Sequence, residues 1–120
     1  MAEGARNRMT LLLAITTEAG QEQAETLARA VLEARLAACV ALTPLQSLYH
    51  WQGELVTGHE VQLLIKSRPE QLQELEALVH RLHSYDTPEW IHWEASCSRG
   101  YGAWLTACGP GNAECSSDLR

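Results

Sequence analysis

Five histidines, fifteen carboxylates and four cysteines are the groups in this 120-residue sequence able to hold a metal or carry a proton. His80 and His83 have helical spacing, so the two rings could face one side of a helix and chelate an ion at i, i+3. His80, however, falls beside Arg81 on the polar side of its pattern, where a histidine is usually only solvated. His83 lies near the end of the same helix, where a protonated ring gains about 0.3 to 1 kcal/mol from the helix dipole without binding anything. His50, His59 and His92 alternate with apolar strand residues or sit near a hairpin tip, and none has ligand spacing to another. Cys39, Cys97, Cys108 and Cys115 form no Cys-x-x-Cys pair and no zinc-like spacing. Cys39, inside the apolar stretch from Leu36 to Leu42, reads as a small buried hydrophobe, and Cys115 in a polar tail as the more oxidisable thiol. Lys66 ends an apolar strand, so it needs a carboxylate partner or leaves an anion-binding position.

Enzymatic signatures are absent: the sequence has no nucleophile elbow, phosphate loop or metalloprotease helix, so the expectation is a protein that is not an enzyme. A formal charge of −6 repels a phosphate backbone, which argues against a nucleic-acid partner. Trp51, Trp90, Trp93 and Trp104 are many for this length, with phenylalanine absent. Without basic neighbours they read as packing or interface residues and not as a base-stacking platform. The apolar run Leu11 to Ile15 is far shorter than the roughly 20 residues of a membrane span. It is also shorter than a signal-peptide core, so it reads as a buried strand of a cytoplasmic protein with no membrane partner.

These groups need elements to hold them. Apolar residues make up 46% and charged residues 20% of the chain, enough to build one folded domain. Arg8 to Thr17 is a first strand. Ala24, Leu27, Ala28, Val31, Leu32 and Leu36 recur at helical spacing and predict a helix over 21–38. Cys39 to Trp51 and Glu54 to Lys66 read as strands joined by a tight turn at Gln52-Gly53. Ser67 with Glu70 is a capping-box signal and Pro69 suits a first turn, so a second helix starts here, burying Leu72, Leu75, Leu78, Val79 and Leu82. After a loop from His83 to Pro88, Glu89 to Ser96 alternates as a fourth strand. Tyr101 to Cys108 forms a short terminal helix. The domain is expected to span 8–108, with 1–7 and 109–120 as flexible tails.

The order is βαββαβ, an α+β ferredoxin-like fold with both principal helices on one face of an antiparallel sheet, a long hairpin arm between its second and third strands, and a short C-terminal helix. Leu11 to Ile15 and Leu63 to Ile65 are continuously apolar, so something must cover the other face. A 13-residue strand reaches roughly 40 Å, longer than its neighbours, so the arm projects with Tyr49, Trp51 and Leu55 near its tip. An apolar edge of that kind invites pairing with another chain.

Five short motifs carry a resemblance: ARLAACV at Ala34 to Val40, S-x-Y-x-W-x-G at Ser47 to Gly53, E-V-x-x-x-I-K at Glu60 to Lys66, H-x-Y-x-x-P-E at His83 to Glu89, and Y-x-x-W at Tyr101 to Trp104. In this order and spacing the chain resembles the CutA divalent-cation tolerance family from Leu11 to Leu105. The resemblance implies a homotrimer whose arms reach across subunits, and copper or another divalent cation as ligand. It further implies a metal site built from a cysteine at the end of the first strand, the histidine of H-x-Y and the glutamate of P-E. His83 and Glu89 match, whereas Thr16 stands in place of the cysteine, and its hydroxyl is a poor ligand for a soft metal. A His83 and Glu89 site suits zinc(II) or copper(II), with a third group from a neighbouring subunit. Lys66, Tyr85, Tyr49 and Trp51 are implied to lie near an intersubunit cleft. The alternative is a trimeric PII-like signalling protein sensing a small anionic ligand there, an analogy resting on fold.

Overall fold

A computed structural model describes residues 8–109. Its elements are β1 (Arg8–Glu18), α1 (Gln21–Glu33), β2 (Cys39–Trp51), β3 (Glu54–Ser67), a 3-10 turn (Pro69–Gln71), α2 (Leu72–Leu82), β4 (Ile91–Ser98) and α3 (Arg99–Ala107). The four strands form one antiparallel sheet in the order β2-β3-β1-β4. The split crossover expected from the sequence is therefore present. The tail expectations for 1–7 and 110–120 lie outside the described residues.

The sheet buries one face under α1 and α2. Leu12 and Ala14 of β1 and Val61, Leu63 and Ile65 of β3 meet Ala24, Leu27, Ala28 and Val31 of α1 and Leu75 and Val79 of α2. Leu82, expected in this core, is instead exposed beyond the last buried turn of α2. The opposite face carries Leu13, Ile15, Leu64 and Ala41, with Ile91 52% and Trp93 41% exposed. α3 crosses only one end of that face, where it packs on β1 and β4.

α1 ends earlier than its periodicity predicts, because the chain turns at Arg35 into a left-handed conformation with φ 60°. The Leu36 N–H donates to Val31 O and the Arg35 N–H to Leu32 O, the reciprocal pair of a Schellman stop. The turn is pinned from the far side of the domain. Ser67 Oγ donates to Leu36 O at 2.6 Å and Gln71 Nε2 to Arg35 O at 2.8 Å. Ser67 is thus engaged elsewhere, and the capping box read from Ser67 and Glu70 does not form; Arg68 occupies the N-cap of the 3-10 turn without a side-chain cap.

β1 pairs with β3 only over Val61–Ser67, so Glu54 to Glu60 pair with β2 alone. A two-stranded arm therefore leaves the four-stranded sheet at Glu60. It closes at Gln52 and Gly53, whose φ values of 50° and 80° are the positive pair that a two-residue hairpin turn requires. Trp51 and Leu55 at its end are 61% and 68% exposed.

Candidate functional site at the base of the arm

The carboxy end of β1, the loop after α2 and the root of the arm meet at one place. His83 caps α2 with an extended backbone, φ −65° and ψ 145°, which turns the chain out of the helix and its ring inward. The ring is fully buried. Its Nε2 lies 2.8 Å from Thr17 O, and a carbonyl only accepts, so Nε2 carries the proton. Nδ1 lies 3.0 Å from the Tyr85 amide nitrogen and accepts from it. The imidazole is therefore the neutral Nε2–H tautomer, with both nitrogens engaged.

Glu18, the last residue of β1, brings a carboxylate to within 3.7 Å of Nδ1 with its side chain 2% exposed. Water is replaced there by Ser84, whose N–H donates to Oε2 at 3.2 Å and whose hydroxyl donates to Oε1. The segment His83-Ser84-Tyr85 is thus stitched to the end of β1 by side chain and backbone alike. This fixes the start of the loop that carries Tyr85 and Glu89.

Beside that seam stands Glu60, which accepts from Ser47 Oγ across the arm at 2.8 Å. Burial, then the negative charges of Glu60 and Glu18, then Tyr49, raise the Tyr85 phenol above its ordinary value. Burial, then Glu60, raise the Glu89 carboxyl above its own. The charges felt at both groups are negative, so a cation entering between Glu60 and Glu89 would relieve repulsion. Clefts flank the seam: one of about 420 Å³ touches Gly20, Pro44, Leu45, His59 and Glu60, and one of about 340 Å³ touches Glu18, Glu22, Leu27, Leu82 and Ser84.

The residues expected to act together are only partly assembled within one chain. Tyr85, Glu89 and Tyr49 share the neighbourhood of Glu60, with the Tyr49 ring lying against Gly58. His83 is adjacent but hydrogen-bonded at both nitrogens. Lys66 stands about 20 Å from Glu60 along β3. It lies on the open face opposite Leu13 and Cys39, its Nζ 5.9 Å from the Tyr101 ring centroid. Trp51 is at the arm tip. Thr16 is fully buried on the helix side, and its Oγ1, like Trp90 Nε1, has no hydrogen-bond partner among the described residues. Among the described residues, no three histidine, cysteine or acidic side chains come together to hold a metal. No helix among them is long and apolar enough to cross a membrane.

Glu18 and Ser84 are fixed positions of no motif, and Glu60 opens the E-V-x-x-x-I-K motif with no ligand role implied for it. Glu18 offered one signal, a carboxylate ending an otherwise apolar strand, but its partner Ser84 lies 66 positions away.

A family model described as CutA1 divalent ion tolerance protein matches residues 12–108. The Divalent-cation tolerance protein CutA of Thermus thermophilus is 41% identical over 93 residues, covering 76% of this chain and 90% of that one. Its counterpart in Pectobacterium atrosepticum is 45% identical over 86 residues, covering 70% and 78%. Among solved structures, CutA from Synechococcus elongatus superposes with a TM-score of 0.81 at 36% identity, over 84% of this chain and 94% of that one.

Proposed function

The chain belongs to the CutA1 divalent ion tolerance family, and from that premise we infer that it is a non-enzymatic homotrimer that binds a divalent ion, copper(II) or zinc(II), at the base of its arm. The observation that carries the metal reading is the nearness of two carboxylates at the arm base, where partial desolvation and then the charge of Glu60 raise the otherwise exposed carboxyl of Glu89. Like charges brought together and partly desolvated favour either a proton or a metal ion between them. Glu89 and Glu60 supply oxygen ligands. His83 joins as a nitrogen ligand only when its Nδ1 gives up the Tyr85 amide, and a neighbouring chain completes the coordination. The trimer reading draws on the half-exposed apolar face around Leu64 and Trp93 and on the projecting arm with Tyr49 and Trp51.

A second reading, the PII-like sensor of a small anion between subunits, is favoured by Lys66. That ammonium group is half-buried on the open face against the Tyr101 ring. Calorimetric titration of the metal-free protein with copper(II), zinc(II) and a panel of anionic metabolites separates the two, with light scattering as the companion measurement. The expected result is a mass three times that of the chain and divalent binding weakened roughly tenfold or more in Glu89→Gln. Metal binding unchanged in both Glu89→Gln and His83→Ala, with an anion response lost in Lys66→Ala, would replace the first reading by the second.

A further inference from the structure

On the helix side of the sheet, the apolar stripe of α2 runs past the core it serves. Leu75 and Val79 are fully buried, whereas Leu82, at the next position of the same stripe, is 46% exposed. Its side chain lines the cleft of about 340 Å³ between the first turns of α1 and the end of α2. Leu27 and Ala30 of α1 line the same cleft. Glu22, on the same i, i+4 row of α1 as Ala30, adds an exposed carboxylate to its rim.

A second carboxylate lines the inner end of this cleft. Glu18 is almost fully buried there, and its oxygens accept from the Ser84 N–H and hydroxyl, both neutral donors. His83, 3.7 Å away, turns toward it an Nδ1 that already accepts from the Tyr85 amide, so the ring offers a lone pair and no charge. Among the described residues, no lysine or arginine lies within ion-pair distance of Glu18 or of Glu22. A carboxylate taken this far out of water is normally matched by an opposite charge. The cleft thus combines an apolar wall that the core leaves uncovered with two carboxylates that no cation of the described chain offsets.

We propose that this cleft is a site for a small organic cation, a primary aliphatic ammonium ion whose chain lies along Leu27, Ala30 and Leu82 and whose head group stands between Glu22 and Glu18. Ser84 takes two of the roughly four lone-pair positions of the Glu18 carboxylate, which leaves the others for the head group. The exposed Glu22 carboxylate supplies the second acceptor. Hydrocarbon walls argue for an alkyl body on the cation and against a bare metal ion, and no three metal-ligating side chains gather among the described residues. The volume lies at the lower end of the range of about 300 to 1,000 Å³ for small-molecule pockets, which suits a chain of a few carbons and no larger partner. The site does not rest on the divalent-ion reading, whose oxygen ligands are Glu60 and Glu89.

The test is a chemical-shift titration of the full chain, isotope-labelled at its amide nitrogens, with n-butylammonium chloride at fixed ionic strength. Saturable shifts centred on Glu22, Ala30, Leu82 and Ser84 are expected. Methylammonium lacks the chain and n-butanol lacks the charge, so each should bind at least about fivefold more weakly. Glu22→Gln should weaken n-butylammonium about tenfold and Leu82→Ser about fivefold. Both positions are exposed, so circular dichroism should show the fold intact in each. Glu89→Gln should leave the affinity unchanged, so failure of this site and failure of the divalent site read out in different variants. No saturable shift at these amides, a control probe that binds as well as n-butylammonium, an affinity unmoved in both Glu22→Gln and Leu82→Ser, or binding lost in Glu89→Gln overturns the proposal.

Discussion

Both faces of the one sheet carry large apolar side chains, in very different surroundings. Along β3, Val61, Leu63 and Ile65 are buried under the two principal helices, while Gln62, Leu64 and Lys66 between them stay half-exposed. Along β1, Leu12 and Ala14 are buried, and Leu13 and Ile15 on the other side are not. In a sheet that met water on its second face the outward positions would be polar. The outward Leu13, Ile15, Leu64, Ile91 and Trp93 therefore describe a surface built to be covered, of which α3 covers only one end. The difference teaches that the domain's own core accounts for half of its apolar pattern.

The largest effect should separate the faces directly. Leu63→Ala opens a cavity in the closed face and should lower the unfolding free energy by about 3 kcal/mol in a urea titration, leaving the assembly mass unchanged. Leu64→Asp, one residue on, should leave the fold intact by circular dichroism and reduce the light-scattering mass to that of a single chain. If Leu63→Ala cost no more than a surface substitution, or Leu64→Asp kept the full assembly mass, the two faces would not differ as described.

A smaller effect probes the patch of the open face that α3 covers. Gly102→Ala places a methyl against Met9 Cβ and Sδ at 2.8 Å, and the backbone-fixed Cβ cannot swing away. An overpacking loss of about 1 to 3 kcal/mol is expected. Gly100→Ala in the same helix meets nothing and should be neutral or gain up to about 1 kcal/mol, since it removes unfolded-state freedom. Thermal unfolding of the pair gives the comparison. Equal midpoints would mean that α3 does not bear on the sheet at Gly102.

Much of this was legible in the sequence, for reasons that also explain what was not. Continuous apolar runs at Leu11 to Ile15 and Leu63 to Ile65 marked a sheet with apolar side chains on both faces, and Gln52-Gly53 marked the hairpin. The helix α1 was read too long because Leu36 continues its periodicity. What stops it is a left-handed Arg35 held by Ser67 and Gln71, contacts that exist only once the domain has folded. The same two residues cancel the capping-box reading, since the Ser67 hydroxyl was already committed to Leu36. At the arm base, His83, Tyr85 and Glu89 lie within one motif and could be named. Their setting could not, because Glu18 and Glu60 arrive from other strands and only the register places them there. The setting of Leu82 is of the same kind, since periodicity put it in the core and only the packing of α1 leaves it beside Glu18 and Glu22.

The smallest expected effect lies where the two faces end, at Glu89. Burial, and after it the charge of Glu60, hold this carboxyl above its ordinary 4.5. The sign follows from linkage. A carboxyl whose native pKa is raised contributes stability that is fully present below its unfolded pKa and is lost as pH rises through the native value. Wild-type protein should therefore lose ground to Glu89→Gln as pH climbs from about 4 through the raised native pKa, and the gap should then hold constant toward neutrality. Unfolding midpoints of the two proteins measured across that interval read the gap directly. A gap of opposite sign would mean that a positive group, not Glu60, governs Glu89. Repeating the series with zinc(II) should reverse the gap near neutral pH, because the metal takes the ionised carboxylate that Glu89→Gln lacks, and ligand binding to the native state raises its stability.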